Sequence, residues 1–360
     1  MVFSVREASR SAVCIAVAAA GCMTFAGPVA SADPSGGGVV NIAKVEQAAE
    51  DAPNGSSLRG AEKLTDRQMD LTVHSAAMDK DITVRVVRPN AETAKDGVAP
   101  ASVYMLGGVE GNSADRGWEQ TTDVVEFFAD KNVNLIIPFG GESSYYTDWQ
   151  HEDPELGRNQ WETFMTKELP PIIDSAFETS GKNALIGLSM STTSVLNLAI
   201  AAPGLYEGVG AYSGCAMTSD PIARRFVEVT VADYGGNPVN MWGGPNDPMW
   251  VENDPYVNAE ELRGTALYIS TGTGRPGPHD RIDAQAIDGD HKMLAAGVVV
   301  GGLIEAITYQ CTTRMADKLD AIGIPATVNI RPVGTHTWPY WEEDLHDSWP
   351  MLAESLDLEN

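Results

Sequence analysis

The stretch Asn183-Ala184-Leu185-Ile186-Gly187-Leu188-Ser189-Met190-Ser191 constrains this chain more than any other part of it. An apolar, strand-length run ends in Gly-x-Ser, and Thr192 to Ile200 then carries helical spacing. A strand that turns sharply into a helix needs a small residue two places before the Ser, because the chain doubles back there. The turn leaves the hydroxyl exposed and aims the first helix amides at the place where negative charge would form. This is the pattern of a nucleophile elbow around Ser189, with Ser191 where a second Gly is usual. A Ser that only caps a helix gives the same local pattern, so the rest of the chain has to decide between the two.

Short apolar runs recur along the sequence at Ile82–Val87, Ser102–Leu106, Val133–Pro138, Ala184–Leu188, Leu267–Thr271 and Ala326–Ile330. Helical patterns over Thr121–Ala129, Trp161–Phe177, Thr192–Ile200 and Gly302–Ile322 lie between them. Buried strands separated by helices predict an α/β fold, a mostly parallel sheet with helices on both faces. Chemistry in such sheets gathers beyond the carboxyl ends of the strands. The loops of interest are therefore 107–117, 139–150, the elbow, 213–220 and 334–341. Six His are present, and His336 follows the last strand most directly, with His346 as runner-up. A base in that place completes a Ser, acid, His chain order. The acid is not selected by pattern, since Asp and Glu together number 50.

The first 32 residues read as a signal peptide: Arg6 and Arg10, an apolar Ala12–Phe25, and Ala30-Ser31-Ala32 before a cleavage point after Ala32. A lipid anchor at Cys22 is the alternative, although Ala19-Ala20-Gly21-Cys22 lacks the Leu of a lipoprotein box. Residues 33–66 read as a flexible N-terminal arm and 67–360 as one domain. The formal net charge of −26 argues against nucleic acid and anionic lipid as partners. Cys215 and Cys311 either pair or stay as buried thiols. No metal-ligand spacing and no phosphate-cradling loop is visible, so neither metal nor cofactor is expected. No apolar run after the leader reads as long enough for a membrane helix.

Several segments together resemble the mycolyltransferases of the antigen 85 type, and among them the corynebacterial mycoloyltransferases. They are Tyr104–Val109 with Gly117-Trp118, Pro138–Trp149, Trp161–Phe164, Gly187–Met190, Met241–Gly243 with Asn253–Pro255, and Gly334–Trp338. The resemblance implies an α/β-hydrolase fold, with Ser189 as nucleophile, His336 as base and Glu305 as acid. It also implies an oxyanion hole from the Val109 and Met190 N–H groups, and a substrate site near Gly107, Glu110, Trp118, Trp149 and Trp338. Trehalose-using members often have Asp at the position of Gly107 and Arg at that of Glu110, so this chain lacks two charged sugar contacts. Trp338, Tyr340 and Trp149 would either screen the site from water or simply pack the core. The implied donor is trehalose monomycolate, or the corynomycolate form. The implied acceptors are trehalose glycolipid, arabinogalactan or a protein Ser hydroxyl, served by an exported monomer. A secreted serine esterase is the alternative, and a surface-binding protein with a vestigial site is a third reading.

Overall fold

The computed structural model describes residues 40–94 and 98–358. The described residues belong to a compact unit spanning Gly36–Asn360; the other unit, Met1–Ser35, lies outside them. The leader with its cleavage point after Ala32, and Cys22, therefore fall outside the described residues.

Among the described residues nine strands form one sheet: β1 (Ser57–Lys63), β2 (Gln68–Ser75), β3 (Lys80–Val87), β4 (Ala101–Leu106), β5 (Val133–Pro138), β6 (Asn183–Leu188), β7 (Gly208–Tyr212), β8 (Ala266–Thr271) and β9 (Thr327–Ile330). Their spatial order is β1-β2-β3-β5-β4-β6-β7-β8-β9. The β1-β2-β3-β5 neighbours pair antiparallel, and every pairing from β5-β4 onward is parallel. β4, β5 and β6 are buried along their whole length, as strands covered on both faces must be. Successive residues of β4 feed opposite sides of the sheet: Tyr104 and Leu106 pack with Leu185, Val195 and Phe164, while Val103 and Met105 pack with Ile186, Leu345 and Leu352.

Three strands escape a reading by apolar runs. β2 alternates, with Met69, Leu71 and Val73 buried between half-exposed polar neighbours. β7 is hidden by Gly208 and Gly210, whose smallness the packing requires. A Cβ at Gly208 would run into Ser355 of the C-terminal helix Trp338–Ser355 and one at Gly210 would lie 2.7 Å from the Tyr212 hydroxyl. β1 is a polar edge strand.

The reading of residues 33–66 as a flexible arm does not hold for its described part. Ile42–Ala48 is a helix, capped by the Asn41 side chain accepting from Lys44 N–H at 3.1 Å, and β1 closes one edge of the sheet. The buried carboxylate of Glu168 fastens this region: it accepts from Asn54 Nδ2 at 2.5 Å, Ser75 Oγ at 2.5 Å and Ala77 N–H at 2.9 Å. Polar composition hid this order, because its few apolar residues, among them Val40, Val45 and Ala52, are buried in a core built from distant segments. A second correction concerns helix length. The helix bearing Glu305 is continuous from His291 to Ala321, long and apolar enough to cross a membrane. The sequence pattern started this helix at Gly302 and showed no apolar run after the leader long enough for a membrane helix; the turns from His291 to Gly301 join it and supply that length. Cys215 and Cys311 are joined as a disulfide.

Candidate active site

β6 ends at Leu188 and delivers Ser189 with φ 54° and ψ −119°, a conformation that costs a non-Gly residue about 1–3 kcal/mol. The surroundings hold it. Ser189 N–H donates to the Tyr212 carbonyl at 2.8 Å. The Ser191 hydroxyl accepts from Leu188 N–H at 2.9 Å and lies 3.0 Å from the Leu188 carbonyl. Ser191 thus fits where a Gly is usual and ties strand to helix. Gly187 has no such freedom, since a Cβ there would lie 2.7 Å from the Ser191 carbonyl oxygen and 2.8 Å from Val195.

His336 stands on the loop after β9, its N–H donating to the Gly301 carbonyl at 3.3 Å and its ring set edge-on to Trp341 at 4.9 Å. Its Nε2 lies 2.8 Å from Ser189 Oγ, and its Nδ1 lies 2.8 Å from Glu305 Oε2. An ionised carboxylate only accepts, so Nδ1 carries the proton and Nε2 faces Ser189 with its lone pair. Glu305 is fully buried, and its other oxygen accepts from Gly272 N–H at 2.5 Å and Ser213 Oγ at 2.7 Å, with Thr271 Oγ1 at 3.1 Å. Burial pushes its carboxyl pKa up, but the hydrogen bonds and charge of His336, with those donors, hold it below the ordinary value. Behind it Arg331 Nη2 lies 3.7 Å from Glu305 and its Nη1 bonds the buried Asp344. Burial pushes the Asp344 carboxyl up to about 7, against the pull of Arg331.

The loop after β4 borders the Ser. A Cβ at Gly108 would lie 3.6 Å from Ser189 Cβ. The Val109 carbonyl accepts from Ser143 N–H at 2.9 Å, and neither the Val109 nor the Met190 N–H meets an acceptor among the described residues. Two free amides beside a partly open hydroxyl suit a developing oxyanion.

The expected substrate residues separate. Gly107 is buried, and a Cβ there would collide with the Gly111 carbonyl and sit 2.8 Å from Asn112 Oδ1, so it is a packing position with no room for a sugar contact. Trp118 and Trp149 are buried too, their indole N–H groups donating to the Leu106 and Ser144 carbonyls at 3.0 Å each; they are core, not walls. Tyr340 is likewise buried, its hydroxyl donating to Asp280 at 2.6 Å. Amphipathic rings read the same from sequence in either role. Trp338 stays half-exposed near His336, edge-on to Trp118 and Trp341. Glu110 is exposed and lies 3.7 Å from Arg116 of the same loop. His346 is remote: it bonds Asp123 at 2.9 Å and stacks on Phe127. Sequence reasoning missed Ser213, Thr271, Gly272 and Arg331. Their signal was position, at or just beyond the carboxyl ends of β7, β8 and β9.

Residues 75–352 match the family described as "Putative esterase". The chain is 31% identical over 297 residues to diacylglycerol acyltransferase/mycolyltransferase Ag85A of Mycobacterium leprae (strain TN), a match covering 79% of this chain and 82% of that one. It is 30% identical over 294 residues to diacylglycerol acyltransferase/mycolyltransferase Ag85C of Mycobacterium avium, covering 79% and 77%. The fold matches the crystal structure of Mycobacterium tuberculosis MPT51 (FbpC1) with a TM-score of 0.62 at 21% identity, over 79% of this chain and 97% of that one.

Proposed function

We propose, from the premise that this chain belongs to the putative esterase family and within it to the antigen 85-type mycolyltransferases, that Ser189, His336 and Glu305 move a mycoloyl group through a covalent Ser189 ester. The chain has the α/β-hydrolase fold and is an acyltransferase. The observation that supports the residue roles is the unbroken chain of contacts at 2.8 Å from Ser189 Oγ through His336 to Glu305.

Ser189 Oγ attacks the ester carbonyl carbon while His336 Nε2 takes the hydroxyl proton. Glu305 holds the imidazole in the required tautomer and offsets the charge it gains. The Val109 and Met190 N–H groups hold the oxyanion, a donor of this kind being worth on the order of 10²–10³ in rate. On collapse His336 returns the proton to the departing sugar oxygen, and the acyl group stays on Ser189. A second hydroxyl then loses its proton to His336, attacks, and frees Ser189.

The donor is trehalose monomycolate, in its corynomycolate form. The acceptor is a second trehalose glycolipid, wall arabinan or a protein Ser, with Glu110 and Arg116 offering a carboxylate and a guanidinium to sugar hydroxyls. The enzyme is exported as a monomer, its leader cleaved after Ala32, and residues beyond the N-terminal region form one catalytic domain. The test is intact-mass measurement after incubation with trehalose monomycolate. Wild type gains the acyl mass and yields the dimycolate, and Ser189→Ala gains nothing. Free acid as the sole product would make the protein an esterase. Absence of both adduct and labelling by a fluorophosphonate would favour a surface-binding role.

A further inference from the structure

The helix that carries Glu305 has two unlike halves. Past Glu305, Thr308, Cys311, Met315 and Leu319 are buried in the protein. Ahead of it, Met293 to Ile304 contains only Met, Leu, Ala, Gly, Val and Ile. That half faces outward: Val299 is 69% exposed, Leu303 65%, Val300 57%, Met293 51% and Ile304 39%. These five exposed apolar side chains are spread along the helix from 293 to 304, through a π-helical turn at Gly297–Gly301, making an apolar ridge roughly 16 Å long at about 1.5 Å per residue. Its end is Ile304, adjacent in the chain to the buried acid. The Gly301 carbonyl accepts from His336 N–H at 3.3 Å, and a Cβ at Gly297 would sit 3.6 Å from Thr337. The ridge therefore flanks the His336 loop at the rim of the site.

A helix this apolar is suited to lipid, but this one is not free to span a bilayer. Glu305 is locked to Gly272, Ser213 and His336, and Cys311 is bonded to Cys215, which keeps the second half inside the protein. Only the first half can enter a lipid phase, and it would lie along the surface. We infer that this ridge docks on an uncharged lipid surface and presents Ser189 to the layer in which the donor is dissolved. The inference rests on the reading that the acyl donor is a lipid. A net charge of −26 disfavours an anionic surface; Met293 to Ile304 carries no charge, and the only cation beside it in the chain is Lys292 at the helix start, next to Asp290.

The test compares the full chain with Val299→Ser/Leu303→Ser and, as a second pair, Val299→Asn/Leu303→Asn, by flotation with phosphatidylcholine vesicles. The N-terminal region is common to all three, so their ratio reads the ridge alone. Removing the two side chains should lower partitioning roughly 30-fold, from the apolar area withdrawn. Turnover of soluble p-nitrophenyl acetate should not change. Equal flotation of all three proteins overturns the inference. So does loss of soluble-ester turnover in both variant pairs, which would make the ridge part of the catalytic machinery. A wild-type dimer by light scattering that both pairs abolish would assign the ridge to a second copy instead. If flotation differs as stated but no acyl adduct ever forms, docking stands and the acyl-transfer reading fails.

Discussion

Glu305→Gln is the perturbation that most sharply tests the site. The carboxylate meets His336 Nδ1–H through Oε2 and the Gly272 N–H and Ser213 hydroxyl through Oε1, with Thr271 beside them. A Gln keeps one acceptor oxygen and must choose. Turning its NH₂ toward the β7 and β8 ends would set it against the Gly272 N–H, a backbone donor that cannot rotate away, and each buried group left unpaired costs about 1–3 kcal/mol. The oxygen therefore stays with Gly272, and the NH₂ points at His336 Nδ1. That nitrogen must then accept, so the proton moves to Nε2, where it blocks removal of the Ser189 proton. The comparable Asp-to-Asn change in a serine protease lowers kcat about 10⁴-fold, or about 5.5 kcal/mol, and the same order is expected here. The assay is kcat on a soluble ester, with circular dichroism to show that the variant is folded. A folded variant within tenfold of wild type would refute the tautomer argument and the role of Glu305 with it.

Gly107→Asp should lower the melting temperature and give no gain in trehalose use, because its Cβ has no space beside Gly111 and Asn112, an overpacking of about 1–3 kcal/mol; a stable, faster variant would contradict the packing. Cys215→Ser/Cys311→Ser opens a crosslink spanning 96 residues and should lose about 2–5 kcal/mol, read as a lower denaturation midpoint that reductant reproduces in wild type. Asp344→Asn tests a pH dependence. The folded carboxyl is raised to about 7 from an unfolded value near 3.9, so its contribution is fully present below about pH 4 and is lost as pH rises through 7. The variant should gain on wild type by up to about 4 kcal/mol between pH 4 and 8, seen in urea midpoints; an equal difference at both pH values would show that Asp344 does not titrate there.

What the sequence could disclose was local or periodic. Ser189 at a strand-to-helix turn is legible because Gly187 and the apolar run before it are neighbours in the chain, and buried parallel strands such as β4 and β5 announce themselves as unbroken apolar runs. The family resemblance added Glu305, which no spacing rule selects among so many carboxylates. Tertiary structure alone decided the rest, since those choices depend on what arrives from far along the chain. Ser213 and Gly272 become partners of Glu305 only once β7, β8 and the long helix are packed together. Trp118 and Trp149 become core, and Trp338 stays at the rim, according to which faces the fold happens to cover. A hydrophobic pattern encodes which residues leave water, but not which distant groups they meet there: Asn54, in a polar stretch, is held by a buried carboxylate more than a hundred residues away.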